Sequence, residues 1–341
     1  MSNFKILIII LAVIVIGGAG LLIAKNKNDD TNKDQPKDKV TLALDWTPNT
    51  NHTGIYAAQQ NGWYAEENIE LEIIPYASTP SDVLVSSGKA DVGIGFTEGV
   101  VASAATDSPV VSIAAIISNN TSSIATRASD NIDSLADLDG KIYGGYGAPY
   151  EEPVMRQAIE NDGGEGDFKQ VVVNTAPIDA LESKKVDFVW IYDGWEGIEA
   201  KRRGFDIKQF PVVEHGIPDY STPNIITSPQ TIAEKSDVLE RFMKATSRGY
   251  EFARLNANEA ATLLIKAAPA GTFPDEELVY ESQRYLSPRY QSEGKAWGLQ
   301  DPQFWRNYPE FMVANNAVVD VAGNPIESID FDSLYTNEFL E

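Results

Sequence analysis

The sequence predicts an α/β protein of two similar lobes behind an apolar N-terminal segment. Three observations carry this. From Val40 onward, apolar runs alternate with helical patterns. A helix, a Lys-x-Asp step and a strand ending in an acidic or aromatic cluster occur twice, at Lys89–Glu98 and Lys185–Glu196. Before both, Ile6–Ala24 is an uncharged apolar run of 19 residues.

That run, preceded by Lys5 and followed by Lys25 and Lys27, is long enough to cross a hydrocarbon core as a helix, so residues 1–24 are expected to be an uncleaved membrane anchor. A cleaved signal peptide is the competing reading. Its apolar region is usually shorter, and the small-residue site around Gly17 to Ala19 lies inside this run rather than after it. Residues 25–39 contain no hydrophobic residue and mix five Lys with four Asp, which predicts a solvated linker. Folded structure is expected from Val40.

In the body, Val40–Leu44 reads as a strand, His52–Asn61 as a short helix and Ile69–Ile74 as a strand opening with polar-apolar alternation. Ser81–Ser87 is helical and runs through Gly88-Lys89-Ala90-Asp91 into the strand Val92–Phe96. Further strands are expected at Val110–Ile117, Ser123–Thr126, Lys141–Gly144, Gln170–Val173 and Asp187–Tyr192, with a helix at Pro177–Ser183. Asp237–Asn256, Ala257–Ala267, Asp275–Leu286 and Asp301–Asn315 space apolar residues by three and four, and predict a helical layer in the C-terminal third. Two lobes with a ligand cleft between them fit the duplicated unit better than one open sheet.

Composition narrows the chemistry. The 341 residues hold 27 Lys plus Arg against 50 Asp plus Glu, a charge of −23, and a field that repels phosphate backbones makes nucleic acid a poor partner. Without the six Lys and four Asp of residues 1–39, the body holds 21 basic and 46 acidic residues and carries −25. The absence of Cys excludes disulfides, iron–sulfur clusters, thiol nucleophiles and the lipid-bearing Cys of a lipoprotein. With only His52 and His215, a His-rich metal site is hard to build, and no Asp-x-Asp-x-Asp-Gly calcium loop occurs. No metal and no cofactor is expected.

Ligands of α/β sheets bind at strand ends, and four such segments look alike: 44–54 with Asp45 and Trp46, 95–99 with Glu98, 144–152 with Gly145, Tyr146, Gly147 and Glu151, and 190–196 with Trp190, Tyr192, Asp193 and Glu196. Aromatic faces and carboxylates recur in all four, while Lys and Arg are missing from each. A site for nitrate, sulfonate or phosphate needs basic donors. Carboxylates beside aromatic plates suit a flat, nitrogen-rich ring, which stacks and donates its amino hydrogens to Glu or Asp. Singly, each residue has an ordinary alternative: Trp46 or Trp190 in a core, Glu151 stabilising a helix start, His52 on the surface beside a helix start.

The segments Leu44-Asp45-Trp46-Thr47-Pro48-Asn49, Gly62-Trp63-Tyr64-Ala65-Glu66-Glu67, 86–93, 135–141 and 335–340 together resemble the NMT1/THI5-like family, over nearly the whole chain from Val40. The resemblance implies a periplasmic-binding-protein-like fold of type II, with lobe one from residues 40–125 and 226–341 and lobe two from 126–225. It also implies a non-catalytic solute-binding component of an ABC importer for a thiamine-precursor aminopyrimidine. Such a protein is expected to act as a monomer outside the cytoplasm, tethered to the cell membrane and partnered by an ABC permease. By the same resemblance Trp46 is a stacking plate, Gly145-Tyr146-Gly147 a contact from lobe two, and Glu196 the acceptor for the ring amino group. The fungal relatives are pyrimidine-forming enzymes with an active-site histidine and a Cys-rich motif. This chain has no Cys, and it carries Thr97, Glu98 and Gly99 where that histidine is expected. Such a hydroxymethylpyrimidine synthase is the alternative, together with binders of riboflavin or of nitrate, sulfonate and taurine.

Overall fold

Two five-stranded sheets with the same wiring make up the body of the protein. The computed structural model describes residues 36–173 and 176–340. The first sheet contains β1 (Asp38–Ala43), β2 (Ile69–Ile74), β3 (Val92–Gly95), β4 (Val111–Ala115) and, much later in the chain, β10 (Asn224–Thr227), in the order β2-β1-β3-β10-β4. The second contains β5 (Ser122–Arg127), β6 (Ile142–Gly145), β7 (Lys169–Val172), β8 (Phe188–Tyr192) and β9 (Ile207–Pro211), in the order β7-β6-β8-β5-β9. In each, a single strand runs against the other four: β10 is antiparallel to β3 and β4, and β5 to β8 and β9.

The duplicated Lys-x-Asp step marks the same joint in both sheets. Asp91, just before β3, accepts a hydrogen bond from the Thr41 backbone N–H of β1 at 2.9 Å and donates its own N–H to the Thr41 carbonyl at 3.0 Å. Asp187, just before β8, does the same with Ile142 of β6, at 3.0 and 2.8 Å. Each carboxylate registers the start of a central strand against its parallel neighbour and is then paired with a cation, Lys235 for Asp91 and Arg127 for Asp187.

The chain passes between the sheets at residues 116–121 and 212–223. The expected lobe boundaries at 125/126 and 225/226 therefore fall inside β5 and β10, each a few residues after the crossing. The physical reason is pairing: Ser122 to Ala125 bond to β8 and β9, and Asn224 and Ile225 to β3 and β4.

Helices cover the sheets. In the first half these are α1 (Thr53–Gln60), α2 (Trp63–Glu66), α3 (Ser81–Ser86) and α4 (Thr97–Ala104); in the second, α5 (Glu151–Asn161), α6 (Pro177–Glu182) and α7 (Ile198–Arg202). The C-terminal layer is α8 (Pro229–Leu255), α9 (Ala257–Ala267), α10 (Glu276–Leu286) and α11 (Phe304–Ala314). Helix α8 begins eight residues before the expected Asp237, where Ser228 caps the Thr231 N–H at 3.0 Å and Pro229 opens the helix. Its first turns are polar and broken at Lys235, so they lack the apolar spacing that betrays the rest. Helices α1 and α8 cross so closely that a Cβ on Gly249 would strike the Gly54 carbonyl. The tail then returns to the edge of the first sheet, where Ser112 and Tyr335 form a parallel bridge.

Among the described residues, no helix is long and apolar enough to cross a membrane. The anchor expected over residues 1–24 lies outside the described residues, as do residues 25–35 of the linker.

Candidate functional site

The strand ends of the two sheets face a common cleft. On the first half, β1 runs into the loop that carries Asp45 and Trp46. His52, completely buried rather than on the surface, accepts the Asn49 backbone N–H on Nδ1 at 3.2 Å, which leaves its Nε2 proton for Asp45 Oδ1 at 2.8 Å. One oxygen of Asp45 is thereby fixed. Among the described residues, Oδ2 accepts no hydrogen bond.

Glu98 sits in the first turn of α4. The Thr97 hydroxyl donates to the Ser221 carbonyl at 2.6 Å and so ties this turn to the second crossing. Glu98 is 2% exposed. Its Oε1 accepts the hydroxyls of Tyr220 and of Tyr308, the latter at 3.0 Å, while Oε2 is buried without a partner. Burial pushes this carboxyl above its usual range, against the lowering effect of the tyrosine hydrogen bonds.

On the second half, the turn after β6 is built around Glu151. Its Oε2 accepts the Tyr143 hydroxyl and the Tyr146 N–H, both at 2.8 Å, and its Oε1 accepts the Ala148 N–H at 2.7 Å. Gly145 has no Cβ because one would collide with this carboxylate. The start of α5 is thus occupied by an acid from the helix's own first turn, which takes the N–H groups of the turn before it.

The chain leaves β8 through a π turn, Asp193–Gly197, a wide turn common at functional sites. Glu196 in this turn is 6% exposed and accepts the Tyr192 N–H on Oε2 at 3.1 Å. Its Oε1 has no partner among the described residues. Burial raises its pKa to about 7, with Glu199 and Asp193 adding to the shift.

Between these walls lies a cavity of about 650 Å³. Its lining carries six carboxylate residues (Asp45, Asp82, Glu98, Glu151, Glu196 and Asp320) and eight aromatic ones (Trp46, Tyr76, Phe96, Tyr146, Tyr150, Trp190, Tyr192 and Trp195), with no Lys, Arg or His. Trp46 reaches across, with its ring 5.2 Å from Tyr76 on its own side and edge-to-face with Tyr146 of the other half at 5.6 Å. Phe96 and Tyr192, each five residues after the bracing aspartate, stack on one another at 6.2 Å. Burial first, then the nearby carboxylates, lifts the hydroxyls of Tyr146, Tyr150 and Tyr192 well above their usual range, so they stay protonated.

Of the residues singled out in the sequence, Asp45, Trp46, Glu98, Tyr146, Gly147, Glu151, Trp190, Tyr192 and Glu196 line this cavity. Two do not. Gly145 lies beneath the turn, and Asp193 faces away, taking the Gln209 side chain at 2.7 Å. Glu151 has both oxygens engaged, and the Trp190 indole N–H is given to the Ser122 hydroxyl at 2.8 Å, so neither offers a free polar atom from those groups. Tyr76, Asp82, Tyr150 and Trp195 were missed, although Tyr76 follows β2 as the chosen segments follow their strands. Asp320 comes from the C-terminal loop, where no pattern pointed to it. Among the described residues, no group of three or more His, Asp or Glu side chains is placed to hold a metal ion.

The family model described as NMT1/THI5 like matches residues 49–260. A formylaminopyrimidine-binding protein of Halalkalibacterium halodurans is 29% identical over 93% of this chain and 95% of its own length. A 4-amino-5-hydroxymethyl-2-methylpyrimidine phosphate synthase of Legionella pneumophila is 27% identical over 68% of this chain and 75% of its own. Among solved structures, the alkanesulfonate-binding protein SsuA of Xanthomonas axonopodis pv. citri bound to MOPS superposes with a TM-score of 0.65 at 10% identity, covering 86% of this chain and 98% of that one. At that identity the likeness shows the fold alone, that of a periplasmic binding protein.

Proposed function

We propose, from the premise that the chain belongs to the NMT1/THI5-like family, that it is the solute-binding component of an ABC importer and that its ligand is an amino-substituted pyrimidine. The observation that carries this is the cavity lining: aromatic rings and carboxylates from both halves, without one basic side chain. An alkanesulfonate or nitrate there would set its oxygens against carboxylates with no Arg or Lys to meet them. A flat ring instead stacks on Trp46 and its aromatic neighbours and gives its amino hydrogens to Glu196 Oε1 and Asp45 Oδ2. The name of the Halalkalibacterium relative supports the same ligand class.

Receptor action follows from geometry on this reading. Contacts from both halves act together only when the cleft is closed around the ring, so the ligand selects the closed state, and a permease reads that state. No chemical step is assigned to the site. Placement outside the cytoplasm, the tether over residues 1–24, the permease partner and the monomeric state belong to this proposal and rest on the family and on the apolar run.

Titration calorimetry on the full chain tests it. An aminopyrimidine is expected to bind, and Glu196→Gln to weaken it by about 1.5–3 kcal/mol, the range for hydrogen bonds to charged groups. The sign of the pH dependence is fixed. An amino donor favours ionised Glu196, whose pKa in the empty site is about 7, so affinity rises as pH approaches 7 and levels above it. Tight binding of an alkanesulfonate with none of the aminopyrimidine would overturn the proposal.

A further inference from the structure

We infer that Glu98 enters the site as a neutral carboxylic acid, whose Oε2–H donates to a ring nitrogen of the ligand. This rests on the reading of the cleft as a site for a nitrogen-containing ring, and adds a donor that the reading does not use. Tyr220 and Tyr308 stack face to face, with ring centroids 3.6 Å and planes 4° apart, so both hydroxyls are pinned to the same oxygen. Oε1 is then the carbonyl-like acceptor. Oε2 is the one polar atom of this cavity-lining side chain without a partner, and it is buried.

An ionised carboxylate in that position would leave a bare charged oxygen buried with no donor to meet it, which costs far more than binding a proton. The tyrosine hydroxyls relieve Oε1 alone, and no cation faces Oε2. Tyr220 and Tyr308 come from the second crossing and α11, Tyr150 and Glu151 from the start of α5, Tyr192 from the end of β8, and Asp82 from α3; all are neutral or acidic.

The two halves of the cleft then offer opposite partners. Glu98 presents a donor and Glu196 an acceptor. A ring with a bare nitrogen and an amino group satisfies both, whereas the matching pyrimidinone places an N–H or carbonyl where one of them finds no match.

The test uses the full chain with 4-amino-2-methylpyrimidine and the corresponding pyrimidinone. Glu98→Gln keeps an acceptor for the tyrosines and an N–H donor at the Oε2 position, so it should lose only about threefold in affinity, while Glu98→Met and Glu196→Gln each lose roughly tenfold or more. Discrimination against the pyrimidinone should collapse in Glu98→Met and survive in Glu98→Gln. Independently of any ligand, the infrared difference between wild type and Glu98→Gln at neutral pH should contain the C=O stretch of a protonated carboxyl. Its absence, or a loss in Glu98→Gln as large as in Glu196→Gln, overturns the inference. A wild type that binds no aminopyrimidine overturns the ligand reading, and the infrared band still decides the state of Glu98.

Discussion

The two halves share a scaffold down to single hydrogen bonds, yet hold their carboxylates in different ways. In the first half, Glu98 is gripped from outside its own segment, by Tyr220 of the second crossing and Tyr308 of α11. In the second, Glu196 is held only by the backbone N–H of Tyr192, the last residue of β8, four positions before it. A third acid, Glu151, is consumed entirely in shaping a turn. The scaffold sets where a carboxylate can stand, and the number of donors it already owns decides whether it serves folding or a ligand.

Glu151 is the sharpest place to break that division. Glu151→Ala strands three donors, the Tyr143 hydroxyl and the N–H groups of Tyr146 and Ala148, in a site where Glu151 is 1% exposed. Each buried unpaired group costs about 1–3 kcal/mol, so a loss of about 3–5 kcal/mol in urea unfolding is expected after partial relaxation. A loss under about 1 kcal/mol would show that the turn stands without its acid.

The duplicated aspartates come next, because their cations differ in exposure. Arg127 is 7% exposed and shares its charge between Asp187 and Asp130, whereas the Lys235 side chain is 42% exposed and free to turn toward water. Hydrogen bonds from Lys235 and Thr41 hold Asp91 below the usual carboxylate range despite its burial. Asp187→Ala should cost about 2–4 kcal/mol and Asp91→Ala about 1–2 kcal/mol. Equal losses in the same urea titration would mean that the strand registration, and not the buried cation, carries the joint.

The legible part of the molecule was the part that repeats. The Lys-x-Asp step announces a strand start because its aspartate bonds the neighbouring strand in both halves, and Ile69–Ile74 and Ala257–Ala267 lie where their apolar spacing places them. Strands β9 and β10 escaped. Ile-Lys-Gln-Phe-Pro has only two apolar side chains and ends in proline, and Asn-Ile-Ile-Thr is a four-residue strand whose identity comes from its neighbours on both sides. Helix α4 was hidden by its small residues and Gly99. At the site, residue types and strand-end position led to most of the lining, but whether an oxygen is free depends on partners far along the chain. Nothing near Glu98 in sequence announces Tyr220 or Tyr308.

The smallest expected effect tests whether the halves communicate through the cleft at all. Trp46 belongs to the first half, packs against Tyr76 there, and meets the edge of Tyr146 from the second. Such aromatic pairs contribute about 0.5–1.5 kcal/mol beyond the area they bury. Trp46→Ala removes one pair that spans the cleft and one that does not, and Trp46 is only partly buried, so global stability should change by less than binding does. An affinity loss of roughly three- to tenfold for an aminopyrimidine is expected. The ligand-induced decrease in radius of gyration, measured by small-angle scattering, should shrink with it, because the variant lacks the Trp46–Tyr146 contact that joins the two halves. If the affinity falls while the scattering change stays whole, Trp46 is a plate for the ring only, and closure is driven from the Phe96–Tyr192 pair.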